Sequence, residues 1–154
     1  MTSPLRERGD RTMKVTELQS LSDWQMEDMK DVLGELSKEL HVKPEILISA
    51  IENPGTHVFA LLNNDERIIG TATLCILELP TGRTAHVEAV VIKAVYRGQG
   101  LGRMLMEHVI DYAHFEFPGV TIHLTSNPNR VAANELYKRL GFKKSETNVY
   151  RMKA

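Results

Sequence analysis

Apolar and polar residues follow different rhythms along this chain, and each rhythm predicts an element. Residues 13–19 (MKVTELQ) alternate, which predicts a first strand. From Trp24, the apolar positions Met26, Met29, Val32, Leu33, Leu36 and Leu40 recur at helical spacing. Ser22 precedes that run with Gln25 three residues on, the signature of a capping box. Pro44 suits the first turn of a second helix over 44–52, which Asn53-Pro54-Gly55 ends.

The period then shortens. Residues 57–62, 67–79 and 84–93 are rich in β-branched side chains, with Asn63-Asn64-Asp65 and Pro80-Thr81-Gly82 as turn-like separators. Three antiparallel strands joined by hairpins are expected. A glycine-rich turn at 97–102 follows. It leads into a helix with Leu101, Met104, Leu105, His108, Val109 and Tyr112 on one face, ended by Pro118-Gly119. Residues 120–126 read as a strand, 131–140 as a helix with Gly141 as its stop, and 142–153 as an extended, alternating tail. Residues 1–12 read as a flexible leader and 13–154 as a single α/β domain.

Composition narrows the function classes. The chain has 154 residues, 42% hydrophobic and 25% charged, which excludes a disordered or fibrous protein. A formal net charge of −1 gives no global attraction to nucleic acid or anionic lipid. No apolar run approaches the ~18 residues of a membrane span, and no signal-peptide core opens the chain, so a cytoplasmic location is expected. The lone Cys75 excludes an intramolecular disulfide and any paired-cysteine metal or redox site. His41, His57, His86, His108, His114 and His123 show no metal-binding spacing, so no metal is expected.

The candidate chemistry centres on Tyr96-Arg97-Gly98-Gln99-Gly100-Leu101-Gly102. Glycines allow positive φ and close approach of a ligand to the backbone. Successive N–H groups and the start of a helix then favour a phosphate or pyrophosphate, with Arg97 as a cation at the mouth. A P-loop would need Gly-Lys-Ser/Thr here, where the chain has Gly102-Arg103-Met104. A dinucleotide fingerprint fails from either Gly98 or Gly100. The pattern that fits is Arg-x-x-Gly-x-Gly.

Two segments carry a resemblance. Val90-Val91-Ile92 leading into Arg97–Gly102 is one. Asn134-Glu135-Leu136-Tyr137-Lys138-Arg139-Leu140-Gly141-Phe142 is the other. Together they resemble the GNAT superfamily of acetyl-coenzyme A-dependent N-acetyltransferases. The resemblance implies a mixed, mostly antiparallel central sheet of about six or seven strands flanked by about four helices. It implies acetyl-coenzyme A as cosubstrate and an amine of a small molecule or protein as acceptor. The backbone from Arg97 through Gly98, Gln99, Gly100, Leu101 and Gly102 to Arg103 would hold the pyrophosphate. Val90, Val91 and Ile92 would pair with the pantetheine arm, and one amide, Val91 or Ile92, would bond the acetyl carbonyl. Asn127 and Asn134 would bind the arm or phosphates, and Tyr137 would sit by the sulfur.

The residue chemistry agrees. Asn134 and Tyr137 are three apart and share a helix face. A phenol with a pKa of about 10 stays protonated at neutral pH and can donate to a departing thiolate. Strict alternation over 86–92 places His86, Glu88, Val90 and Ile92 on one sheet face. Glu88 on such an apolar strand is the candidate base, its pKa raised by burial. His86-Val87-Glu88 also resembles the sugar-phosphate branch of the superfamily, but Ala89 stands where that branch has an acid. No nucleophile elbow is present, so direct attack through a tetrahedral intermediate is expected. A non-catalytic acetyl-coenzyme A sensor is the alternative. A strand edge in the tail could pair with another copy.

Overall fold

The computed structural model describes residues 13–154; the leader 1–12 lies outside the described residues. The element order is β1 (Lys14–Glu17), α1 (Asp23–Gly34), α2 (Pro44–Glu52), β2 (Thr56–Leu62), β3 (Ile68–Leu79) and β4 (Gly82–Ile92). A 3-10 turn (Ala94–Tyr96), α3 (Leu101–Glu116), β5 (Ile122–Leu124) and α4 (Val131–Arg139) follow. The strands form one sheet in the order β1-β2-β3-β4-β5. The first four pair antiparallel and β5 joins β4 in parallel.

Local sequence explains most boundaries. Ser22 accepts from the Gln25 amide while the Gln25 side chain accepts from the Ser22 amide, so the capping box forms as expected. Pro44 occupies the first turn of α2, where its missing N–H costs nothing. Gly141 takes φ +100 and stops α4.

Each sheet face carries its own core. Phe59, Leu61, Leu74, Ala85, Val87 and Ile92 pack against Leu105, Met106 and Val109 of α3 and Tyr137 of α4. On the other face, Val58, Ala60, Leu62, Ile68 and Val91 pack against Met29 and Val32 of α1 and Leu47 of α2. Phe59 and Leu61 against Val58, Ala60 and Leu62 show the two-residue period of β2 directly.

Two expectations are corrected. The sheet has five strands among the described residues, rather than six or seven. The alternating tail forms no strand because its backbone finds no ladder partner after the Phe142 amide bonds to the Tyr137 carbonyl. The second correction concerns β4. Thr73 pairs with Glu88 and Thr71 with Val91, so Ala72 faces two residues, Ala89 and Val90. Ala89 takes φ +52, the left-handed conformation of a bulge. The extra residue reverses the alternation. Val87, Val90 and Ile92 share the α3 face, while Val91 turns to the α1 face. Glu88 therefore does not share a face with Val90 and Ile92.

Candidate active site

The sheet opens where β4 and β5 part. Their parallel pairing runs through Ala85–Ile122, His86–His123 and Val87–Leu124 and goes no further. Beyond it lies a cleft of about 70 Å³ lined by Leu36, Val87, Glu88, Ala89, Val90, Leu124, Thr125, Arg130 and Tyr137. Tyr137 belongs to the core on the α3 face and Leu36 to that on the α1 face. The cleft thus connects the two sides of the sheet.

Backbone groups face it. The Lys93 amide donates to the Ile69 carbonyl, which turns Lys93 toward β3. By strand alternation Val91 also faces β3, and the peptide groups of Ile92 point away from it. The Ile92 carbonyl is taken by Arg97 Nε at 2.9 Å. Of the two amides expected to be available, only that of Ile92 points away from β3.

The glycine turn follows directly. Gly98 and Gly100 have φ +79 and +76, and a Cβ on either would meet nothing within 4 Å. Gly100 caps α3 without a side-chain bond. The first helical bond of α3 runs from the Met104 amide to the Gly100 carbonyl at 3.1 Å. The amides of Gly98 through Arg103 have no acceptor among the described residues. This is a run of unpaired donors at the positive end of a helix of 16 residues. Arg97 does not reach over it: its guanidinium folds back to the Ile92 carbonyl and lies 3.7 Å from Glu35. Arg103 pairs with Glu107 at 2.7 Å.

Tyr137 is 7% exposed. Burial pushes its phenol above its ordinary pKa, with the Arg130 charge opposing. Its side chain lines the cleft, and its hydroxyl has no hydrogen-bond partner within the protein among the described residues. Asn134 Nδ2 donates to the Asn127 carbonyl at 3.0 Å, and Asn127 Oδ1 accepts from the Asn129 amide. The two asparagines brace the β5–α4 loop. Beside them, Ser126 Oγ is buried without a partner. Glu88 is exposed on the α1 side of the cleft, so the apolar surroundings expected for it are absent. His86 and His123 stack at 5.0 Å. A larger apolar hollow of about 290 Å³ between α1 and α2 touches neither the turn nor Tyr137.

Residues 18–142 match the acetyltransferase (GNAT) family. The chain belongs to that family. It is similar to a peptidyl-lysine N-acetyltransferase of Salmonella typhimurium, at 40% identity over 58 residues. Those residues are 38% of this chain and 36% of the relative, so the match spans about a third of the relative's length. An acetyltransferase of Trypanosoma brucei has the same fold, with TM-score 0.73 and 21% identity over 92% of this chain and 99% of that one. So does an aminoglycoside acetyltransferase from a soil metagenome, with TM-score 0.78 and 16% identity over 94% and 97%.

Within this GNAT chain, the sequence pointed to the turn, Asn127, Asn134, Tyr137 and Glu88. Arg130, Thr125 and Leu36 also line the cleft and were not among those residues. Arg130 carried a weak signal as the cation just before α4. Leu36 was assigned to the core stripe.

Proposed function

We propose that the chain transfers the acetyl group of acetyl-coenzyme A to a primary amine by direct attack, with no covalent enzyme intermediate. The observation that carries this reading is the run of unpaired amides from Gly98 to Arg103, placed at the same end of the sheet as the cleft that holds Tyr137. Bound there, acetyl-coenzyme A supplies a thioester as an activated acyl group.

The residues present fit such a ligand. The amides of Gly98 through Arg103 would bind its diphosphate, and the open space above Gly98 and Gly100 admits it. The Ile92 amide, turned away from β3, offers a further polar partner beside the cleft. An amide aimed at the developing oxyanion is worth roughly 3–4 kcal/mol. Holding both reactants in one cleft adds proximity. A phenol keeps its proton at neutral pH in any case, and burial pushes the Tyr137 pKa further up, so it can donate to the leaving sulfur. Glu88 faces the cleft from the α1 side, where it can attract a cationic amine and take up its proton. A lysine-like amine fits that carboxylate, in keeping with the peptidyl-lysine substrate of the Salmonella relative.

The test is thiol release from acetyl-coenzyme A across a panel of lysine peptides and small amines. Turnover on at least one amine is expected, slowed about tenfold by Glu88→Gln. Micromolar coenzyme A binding with no amine ever acetylated would replace this reading with a sensing module.

A further inference from the structure

Two charged side chains line the cleft, Glu88 on the α1 side and Arg130 from the start of α4. Glu88 has a place in the proposed reaction and Arg130 has none. Arg130 is the N-cap residue of α4, about two helical turns before Tyr137. Its backbone is held at both ends. The Arg130 amide donates to the Asn127 carbonyl at 3.0 Å, and the Arg130 carbonyl accepts from the Asn134 amide at 2.9 Å.

Its charge is left over. Arg67, Arg83, Arg97 and Arg103 each stand against a carboxylate. Arg130 has no carboxylate partner among the described residues. Arg139 and Arg151 are unpaired as well, but neither lines the cleft, and no other cation does. The field of Arg130 reaches the Tyr137 phenol, where it opposes the upward push of burial.

Aminolysis of a thioester carries a negative charge to that place. The amine nitrogen forms its bond to the acyl carbon, and its proton passes to Glu88. When the carbon–sulfur bond breaks, the electron pair stays on sulfur. Tyr137 then supplies the proton that makes a neutral thiol, and the phenolate left behind regains one from solvent. A phenol pushed above its ordinary pKa gives up its proton late, so the charge on sulfur is large before transfer. Val87, Val90 and Leu124 line the same cleft and offer an anion nothing. A fixed cation beside the developing charge lowers that cost.

We infer, on the acetyl-transfer reading of this cleft, that Arg130 is a catalytic residue whose guanidinium holds the negative charge that sulfur acquires as the acyl bond breaks. Its side chain is exposed, so solvent screens it and the effect is about tenfold.

The charge on sulfur can be read without turnover. Coenzyme A bound to the full chain is titrated by the ultraviolet absorbance of its thiolate, as a difference against bound desulfo-coenzyme A, which lacks the sulfur. In Arg130→Met the bound thiol should ionise about one pH unit higher than in the unmodified chain, a tenfold loss of thiolate at fixed pH. Arg130→Lys should restore most of it. Glu88 and Tyr137, the other titratable groups lining the cleft, are the same in all three proteins. Desulfo-coenzyme A should bind all three alike, and kcat on an accepted amine should fall about tenfold in Arg130→Met with KM unchanged. A bound thiol that titrates alike in all three overturns the inference. So does equal weakening of coenzyme A and its desulfo analogue, which would make Arg130 a phosphate ligand. A thiol titration that moves with Arg130 while no amine is acetylated supports the charge-holding role and removes the transfer reading. Amines acetylated with an unmoved thiol titration remove Arg130 alone, and a chain that binds no coenzyme A overturns both.

Discussion

Two polar regions of this molecule treat the same demand in opposite ways. Asp28 lies on α1 with its side chain 7% exposed. It accepts from Arg67 Nε at 2.9 Å and from the Ile68 amide at 3.1 Å. Trp24 packs over the Arg67 guanidinium at 5.7 Å. Here the chain satisfies its own buried charge and seals α1 to the β2–β3 hairpin. The Gly98–Arg103 turn does the reverse. Its amides are aligned and left without acceptors. A satisfied cluster holds the fold together, whereas an unsatisfied, open one awaits a ligand.

The comparison can be broken most strongly at the turn. Gly100→Asp brings a carboxylate onto the donors, at a φ that aspartate tolerates better than most residues. Coenzyme A binding by calorimetry should fall about 100-fold or more, roughly 3 kcal/mol, with the fold intact. Wild-type affinity would erase the contrast between the two regions.

Asp28→Ala strikes the satisfied side. It leaves the Ile68 amide unpaired and should cost about 2–3 kcal/mol in urea unfolding. Burial raises the Asp28 pKa, but the Arg67 and Ile68 bonds outweigh it and hold the folded value below 3.8. A depressed carboxylate stabilises the fold above its unfolded pKa and loses that contribution as pH falls through the folded one. The gap between wild type and variant should therefore be constant near neutrality and shrink below about pH 4. A gap independent of pH would mean that packing, not charge, carries the effect.

Smaller effects sharpen the picture. Tyr137→Phe should slow turnover about tenfold, near 1.4 kcal/mol, and leave coenzyme A affinity unchanged. Equal turnover would remove the phenol from the reaction. Gly98→Ala meets no neighbour, so only the cost of positive φ remains, about 1 kcal/mol in thermal unfolding. A larger loss would show that the space above the turn is not free.

What the sequence disclosed depended on how local the cause was. The Ser22–Gln25 box, Pro44, the hairpin turns and Gly141 act over a few residues, and the elements begin and end where those residues stand. The glycine turn was visible because φ above zero has a residue-type signature. The bulge at Ala89 was not, since alanine gives no hint of left-handed backbone and the apolar run reads as plain alternation. Misplacing it put Glu88 beside Val90 and Ile92 rather than across the sheet from them. Asp28 and Arg67 are 39 positions apart, so their bond depends on the hairpin docking against α1. Arg97 looked like a ligand-facing cation, but the strand end and Glu35 claim it.

Ala89 is a single surplus residue, and it works as a phase inverter for everything downstream in β4. Flattening it into ordinary strand, with the residue kept, would turn the strand's final residues inside out. Val91 would then be thrust toward α3, and Val90 and Ile92 toward α1. An engineer who straightened this strand to gain stability would find its hydrophobic contacts exchanged between the two layers.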